Sequence, residues 1–439
     1  MNLSRFVYRY DLDGTVCLFH SLLLKKLYMS REEWERVEHS LSDKTRSFEG
    51  VPADLYRLGF IVEADEDRRL RALAIERLAE PKKIHTMFLV VTEDCNFRCR
   101  CCYESNARKD MHEHMSFEIA KKAIDTFGRI TQHDLPRTIL FYGGEPLIEY
   151  PLVKKSLDYI YEMEEHKKIK SPCFKSITTN GSLLSEKIVK ELKNYENLSI
   201  GLSLDGMEKH QNSNRVYPNG HGTYKDVAHA VRLLEKHDME FAVICTVGRH
   251  NVAELDSIAK HFVLDMGIKN VAFNLLIGRE DGSNPLEVSG DIAARGITKA
   301  YEFLRSQDCY EGRMSRQIIP FVEEKLYFFD CDASGQQVVV TPDGMVGPCV
   351  GFISSRRGFL SDKLDTFDIY QGENELFLKA SPIVMEDCQE CPCIGICGGG
   401  CHYNRLVKTG DSYKPEKGFC NYAHGVLEWM IKRLEPAKI

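Results

Sequence analysis

Cys95, Cys99 and Cys102 stand in the stretch Thr92-Glu-Asp-Cys-Asn-Phe-Arg-Cys-Arg-Cys-Cys-Tyr103, spaced Cys-x3-Cys-x2-Cys. The apolar run Met87 to Val91 before them reads as a strand, so the cysteines fall on a loop at a strand's end. Three thiolates on one short loop can hold three irons of a 4Fe–4S cluster. The fourth iron then lacks a protein ligand and is open to a substrate. The plainer reading is three reduced core thiols, since unoxidised cysteine behaves as a small buried hydrophobe.

Nine of the sixteen cysteines lie in residues 307–439. Cys331 is followed after twelve residues by Gly344 and after four more by Cys349; then come Cys388-x2-Cys391-x5-Cys397-x3-Cys401, and Cys420. Such runs suit iron–sulfur clusters, and Cys-x2-Cys pairs with two further thiolates also suit tetrahedral zinc. Cys393 lies inside the run, only two residues from Cys391, a poor spacing for one cluster. Cys17, Cys173 and Cys245 sit in strand-like apolar settings as ordinary buried thiols. The start Met1-Asn-Leu-Ser-Arg-Phe has no apolar signal core, so a disulfide scaffold is disfavoured and clustered thiols in a reducing cytoplasm read as metal ligands.

These cysteines need a frame. Residues 84–306 alternate strand and helix. Strands are expected at Ile84–Val91, Thr138–Tyr142, Lys175–Thr178, Leu198–Leu204, Phe241–Val247 and Asn270–Leu276. Helices are expected at Ser116–Ile130, Val153–Glu164, Ser185–Leu192, Tyr224–Lys236, Val252–Leu264 and about Asp291–Leu304. That alternation predicts an α/β fold of parallel strands with crossover helices, whose sites lie at the strands' carboxyl ends. Residues 1–83 differ: a β-hairpin turning at Asp11–Gly14, a helix capped by Ser30 and Glu33, a helix from Pro52 to Leu58, a strand from Phe60 to Asp65 and a charged helix from Asp67 to Ala79. Residues 307–439 read as a separate metal-organised region closed by a helix near His424–Leu434. With 58 basic and 65 acidic residues, a net charge of −7 and only strand-sized apolar runs, neither a nucleic-acid nor a membrane partner is expected.

The Cys95–Cys102 spacing resembles the signature of the radical S-adenosylmethionine (SAM) family, with Cys101 departing from the usual aromatic. There the open iron chelates SAM through its amino and carboxylate groups, and an electron from the cluster releases a 5′-deoxyadenosyl radical that abstracts hydrogen from a substrate. The resemblance implies a partial (β/α)6 barrel. After the second strand, Gly143-Gly144-Glu145 matches the segment that binds the SAM amino group, with Glu145 as an anion for that ammonium; the plainer reading is a turn. The resemblance assigns Thr179, Asn180, Ser203 and Asp205 to the SAM pocket or its surroundings, against turn chemistry at Asn-Gly and Asp-Gly. It places Arg215 toward the SAM carboxylate, against a solvated loop arginine, and makes Tyr103 and Leu275 adenine neighbours, against core packing.

The C-terminal cysteines resemble the SPASM domain at all seven positions, which implies two auxiliary 4Fe–4S clusters and three clusters in total. By resemblance Cys331, Cys349 and Cys401 hold the first, with Cys309 as candidate for the remaining place unless it is open to substrate; Cys388, Cys391, Cys397 and Cys420 hold the second. Residues 1–83 resemble, in pattern, the winged-helix leader-recognition domains of peptide-modifying members, against a lid that only caps the barrel. The whole chain is then expected to be a cytoplasmic maturase that cross-links side chains of a ribosomally made precursor peptide, with flavodoxin or ferredoxin as electron donor. The alternatives are an anaerobic sulfatase-maturing enzyme, whose usual aspartate after the Gly-x4-Cys cysteine is replaced here by Val350, and a non-catalytic metal-stabilised peptide-binding module. No residue stands out as the catalytic acid or base.

Overall fold

The hairpin at the amino end closes on the tightest turn its sequence allows. In the computed structural model, which describes residues 2–42, 53–63, 65–104 and 113–434, Leu12 pairs with Thr15. The turn is therefore Asp13-Gly14, with Gly14 at φ +75°, rather than the four residues from Asp11. Pro52 and Ala64, expected at a helix start and in a strand, lie outside the described residues. The head contains β1 (Asn2–Leu3), β2 (Val7–Leu12), β3 (Thr15–His20), β4 (Lys26–Ser30), α1 (Arg31–Ser42), α2 (Ala53–Arg57), β5 (Ile61–Val62) and α3 (Glu66–Leu78). The sequence reading lacks β1 and β4, which are short and find their partners only in three dimensions: β4 extends the hairpin and β1 pairs with β5. The Ser30–Glu33 cap of α1 forms as expected. Glu33 N donates to Ser30 Oγ at 3.2 Å, and Ser30 N donates to the Glu33 carboxylate at 2.7 Å.

The central unit runs β6 (Thr86–Thr92), α4 (Phe117–Ile130), β7 (Arg137–Gly143), α5 (Tyr150–Glu165), β8 (Cys173–Thr179), α6 (Glu186–Leu192), β9 (Leu198–Ser203), α7 (Glu208–Asn214), α8 (Tyr224–Lys236), β10 (Phe241–Val247), α9 (Leu255–Lys260), β11 (Asn270–Leu275) and α10 (Gly290–Ser306). Strands β6 to β11 are parallel and lie in chain order, each beside its sequence neighbour. Met87, Leu89 and Val91 of β6 and Ile139 and Phe141 of β7 share the main core with Ala120, Ile124 and Phe127 of α4. The β6–β7 register slips between Val90 and Thr92, a bulge that re-aims the strand just before the cysteine loop.

Residues 307–434 are not detached from this unit. They contribute β12 (Tyr310–Glu311), α11 (Gly312–Glu323), β13 (Gln337–Val340), β14 (Val346–Gly347), α12 (Glu375–Lys379), α13 (His402–Thr409) and α14 (Lys417–Arg433). β12 adds to one edge of the sheet beside β11, and β13 adds to the other beside β6, giving nine strands. Val90 of β6 packs against Val339, Cys349, Phe352 and Tyr403, so this region fills one side of the sheet. The head rests on the same region: Phe6, Leu22 and Ala74 pack with Ile383 and Ile394, Lys25 pairs with Glu324, and Tyr28 Oη donates to Ile431 O at 3.1 Å. Among the described residues no helix is long and apolar enough to cross a membrane.

Candidate active site

Two glycines decide how the cysteine loop sits. Gly143 has φ +139°, and a Cβ there would collide with the carbonyl oxygen of Thr92; one at Gly144 would collide with that of Asp94. The end of β7 therefore lies directly against the start of the loop. Gly144 N donates to Thr92 O at 2.9 Å and Glu145 N to Asp94 O at 2.8 Å. The far side of the loop is held as firmly: Arg98 N donates to Val216 O, Arg100 N to Asn214 O and Cys101 N to Asn214 Oδ1. Asn96 ties the loop to the end of β8, accepting from Asn180 Nδ2 at 2.8 Å and donating to Ser182 Oγ at 2.9 Å.

The result is a cavity of about 220 Å³ at the carboxyl ends of the strands. Cys95, Cys99 and Cys102 line it together with Tyr103, Gly143, Gly144, Thr179, Asn180, Ser203, Arg215 and Leu275. Cys101 lines it as well. Burial pushes the Cys99 thiol up, with the other three loop thiols adding to the rise and the Arg215 charge opposing it. Tyr103 Oη lies 3.1 Å from Tyr142 Oη, which fixes the ring at the cavity wall.

Glu145 stands behind the wall, and Asp205 lies in the pocket's surroundings, one of the two places the resemblance gave it. The Glu145 carboxylate is fully buried and accepts from Thr179 Oγ1 at 2.6 Å, Asn180 N at 2.7 Å and Leu147 N at 3.0 Å. It is turned inward to hold the end of β8 and does not face the cavity as an anion for an ammonium. Burial pushes it up to about 7 against those three hydrogen bonds. Asp205 is likewise buried. It accepts from Arg215 Nε at 2.8 Å and Nη2 at 3.1 Å, from Asn214 Nδ2 at 2.6 Å and from Thr246 N at 2.9 Å. Burial raises its carboxyl, but Arg215 and His250 reverse this and hold it well below the usual range. Asp205 thus aims the Arg215 guanidinium, which is buried and anchored rather than solvated.

A second cavity of about 260 Å³ lies between the barrel and the C-terminal region, lined by Cys331, Cys401, Arg313, Asp330, Lys408 and Glu416 among others. It shares Asn274, Leu275 and Ile277 with the first, so the two meet where β11 ends. Cys349 is close enough to Cys401 and Cys331 for both to push its thiol up, after burial. Cys309 is elsewhere. It precedes β12, whose pairing with β11 begins at Asn270, the amino end of that strand, and its Sγ lies 3.5 Å from Ile268 O. The candidate fourth ligand is excluded by the strand's direction, because Cys331 and Cys401 stand at the carboxyl end. Cys388, Cys391, Cys397 and Cys420 line a third, small pocket. Cys393 lines it too, despite its spacing, and so does His424. Tyr142, Ile244, Thr246 and Asn274 of the first cavity are not marked by any motif; Tyr142, Thr246 and Asn274 have position as their signal, each lying next to the carboxyl end of a strand, while Ile244 is mid-strand.

A family model of the radical SAM superfamily matches residues 89–262, the part of the barrel that carries the cysteine loop. The chain carries a radical SAM domain. Such a domain is enzymatic and uses SAM with an iron–sulfur cluster. The chain is 30% identical over 190 residues to uncharacterized protein MJ0907 of Methanocaldococcus jannaschii, covering 43% of this chain and 62% of that one, less than two thirds of its length. It is 24% identical over 404 residues to the radical SAM cyclopropyl synthase TigE of Paramaledivibacter caminithermalis, covering 87% and 82% of the two chains. It is also 24% identical over 355 residues to the cysteine-type anaerobic sulfatase-maturating enzyme of Clostridium perfringens (strain 13 / Type A), covering 77% and 94%. Among solved structures, anSMEcpe with bound AdoMet superposes with TM-score 0.65 at 20% identity over 80% of this chain and 93% of that one. SuiB of Streptococcus suis bound to precursor peptide SuiA superposes with TM-score 0.58 at 14% identity over 95% and 99%. The radical SAM fold is thus shared with both, and SuiB covers more of this chain.

Proposed function

We propose that the protein is a maturase that oxidatively cross-links side chains of a ribosomally made precursor peptide, forming a thioether or carbon–carbon bond. The observation that carries this is the seam at Asn274, Leu275 and Ile277, residues that line both the thiol-bearing barrel cavity and a second cavity bearing Cys331 and Cys401. A side chain placed at the seam lies between a site for hydrogen removal and a site for electron removal. In this reading Cys95, Cys99 and Cys102 hold a 4Fe–4S cluster. Three thiols converging on one cavity, with no fourth of matching spacing, suit a cluster that keeps an iron open. Cys331, Cys349 and Cys401 hold a second cluster with one place not filled by cysteine, and Cys388, Cys391, Cys397 and Cys420 hold a third. Bound there, SAM and its cluster supply a carbon radical able to take hydrogen from the substrate.

The chain's own residues do the rest. Arg215, aimed by Asp205, meets a carboxylate; the Gly143–Gly144 backbone lets a ligand approach the strand end closely; Thr179, Asn180 and Ser203 offer hydroxyl and amide partners to ribose; Tyr103 and Leu275 supply apolar wall to adenine. A flavodoxin or ferredoxin would deliver the electrons.

In the same reading residues 1–83 recruit the leader. A groove of about 610 Å³ runs between β5 and α3, lined by Tyr56, Ile61, Val62, Arg69, Leu70 and Leu73. Among the described residues β5 pairs with β1 alone, leaving an edge to which an extended peptide can add. The lid alternative is disfavoured by position, since no described head residue lines the barrel cavity or the second cavity beside it. A second reading, formylglycine formation, is favoured by the 24% identity to the C. perfringens enzyme. It is weakened at Cys349, which is followed by the short helical turn Val350–Phe352 with no carboxylate. Mass spectrometry separates the two after incubation of reduced enzyme and SAM with a precursor encoded beside the gene or with a sulfatase-derived peptide. Cross-linking removes two hydrogens and keeps sulfur; formylglycine formation from cysteine also removes two hydrogens but replaces sulfur with oxygen.

A further inference from the structure

Two residues outside the seven-cysteine pattern press against its second half. Cys393 is 1% exposed and points into the pocket of Cys388, Cys391, Cys397 and Cys420. His424 lies one helical turn after Cys420 on α14, so both project from the same face, and both line that pocket. The ligand atoms of Cys391, Cys393 and His424 all lie within 4.8 Å of one another, and Cys391 Sγ is 3.4 Å from His424 Nε2. In tetrahedral zinc, bond lengths of about 2.3 Å to sulfur and about 2.0–2.1 Å to nitrogen place a sulfur and a nitrogen about 3.6 Å apart. A four-iron cluster spreads its ligand sulfurs more widely, because each binds a different iron. The compact trio therefore has the dimensions of a single-ion site.

We propose that Cys391, Cys393 and His424 bind one zinc-type divalent ion, as an alternative to a cluster on Cys388, Cys391, Cys397 and Cys420. Two thiolates and an imidazole are a donor set that zinc favours over harder ions. Binding takes the protons from Cys391 and Cys393 and uses the neutral imidazole, with water in the fourth position. His424 is exposed and also borders an open groove with Cys420, Gly425 and Trp429, which gives an ion a path from solvent. Cys391 cannot serve both occupants, so the ion and the cluster exclude one another, and metal supply decides which forms. The site rests on the geometry of the trio and stands whether or not the peptide-maturase reading holds.

The test uses the full chain, purified free of iron and titrated anaerobically with Co²⁺, whose visible bands report tetrahedral thiolate ligation. The expected result is Co²⁺ binding that Zn²⁺ displaces. Cys393→Ser and His424→Gln should each weaken it at least ~10-fold, the lower end of the loss seen even for outer-shell partners. Cys393→Ser should also reduce the sulfur-to-cobalt charge-transfer band. In parallel, both variants reconstituted with iron and sulfide should retain wild-type iron, which also shows that they fold. Unchanged Co²⁺ affinity and spectrum in both variants would overturn the proposal. So would a matching loss of iron, since the two residues would then serve the cluster.

Discussion

Cys95, Cys99 and Cys102 lie within eight residues on one loop, whereas the C-terminal thiols are gathered from residues 331 to 420. The loop is clamped from three sides: by backbone just after β7 at Gly144 and Glu145, by the Asn180 side chain after β8, and by backbone at the end of α7 and just beyond it, at Asn214 and Val216. The C-terminal thiols stand mostly on turns and short helical segments, and they meet because the region packs against β6 and the head packs against the region. One site is built by strand ends at fixed spacing, the other by tertiary packing. Spacing alone therefore groups the first set, whereas in the second it does not show that Cys309 lies at the amino end of β11 or that Cys393 lines the pocket of its neighbours.

The largest effect should come from the loop itself. Cys95→Ala, Cys99→Ala or Cys102→Ala should abolish 5′-deoxyadenosine formation, measured by chromatography. Cys101→Ala should keep it within about tenfold, a barrier change of ~1.4 kcal/mol. Full loss in Cys101→Ala would show that the shared cavity, rather than the spacing, selects the ligands. The clamp comes next. Gly144→Ala drives a Cβ into the Asp94 carbonyl, so the loop must move. We expect about 1–3 kcal/mol of destabilisation by denaturant titration, together with less iron bound by a protein that still folds. A variant with full iron would mean that the clamp is dispensable.

The head is tested without deleting it, because removing it would expose Ile383 and Ile394. Leu73 is 54% exposed beside the groove. Leu73→Asp should raise KM for a leader-bearing precursor by about tenfold, ~1.4 kcal/mol of binding, while leaving a leaderless core peptide unchanged. Equal effects on both peptides would refute leader capture.

Glu145 gives a smaller, pH-dependent effect. Its carboxyl is raised from 4.5 to about 7 in the fold by burial, so the folded state binds the proton more tightly than the unfolded chain. That contribution to stability is full below about 4.5 and is lost as pH rises through about 7. Melting curves of wild type should fall across this window, and those of Glu145→Gln should be flatter; parallel curves would show that Glu145 stays ionised. The smallest effect is expected at Cys309→Ser. Iron content should not change and stability should fall by about 1 kcal/mol. Iron loss there would place Cys309 at the second cavity after all.

The strand-helix alternation was legible because apolar strands and amphipathic helices differ in period, and five of the six barrel helices appear with ends close to those expected. The sixth, expected as Val252–Leu264, is broken into a short turn, α9 and a widened turn over His261–Asp265. The cysteine spacings were legible because ligands on one loop are close in space whenever they are close in sequence. So were Gly143 and Gly144, although their reason is the approach of the Thr92–Asp94 backbone as much as that of a ligand.

What the chain by itself determined is the parallel barrel, the thiol triad at its first strand's end and the existence of a second cysteine-rich region. Only the tertiary structure decided which way side chains turn and which distant segments meet. Glu145 and Asp205 carry charge in site motifs, yet each faces inward, because a buried carboxylate goes where hydrogen-bond donors converge on it. Cys309 is separated from Cys331 by the length of a strand, and His424 is brought to Cys391 by the packing of α14. Local spacing limits what residues can touch, but long-range contacts depend on how the elements between them pack.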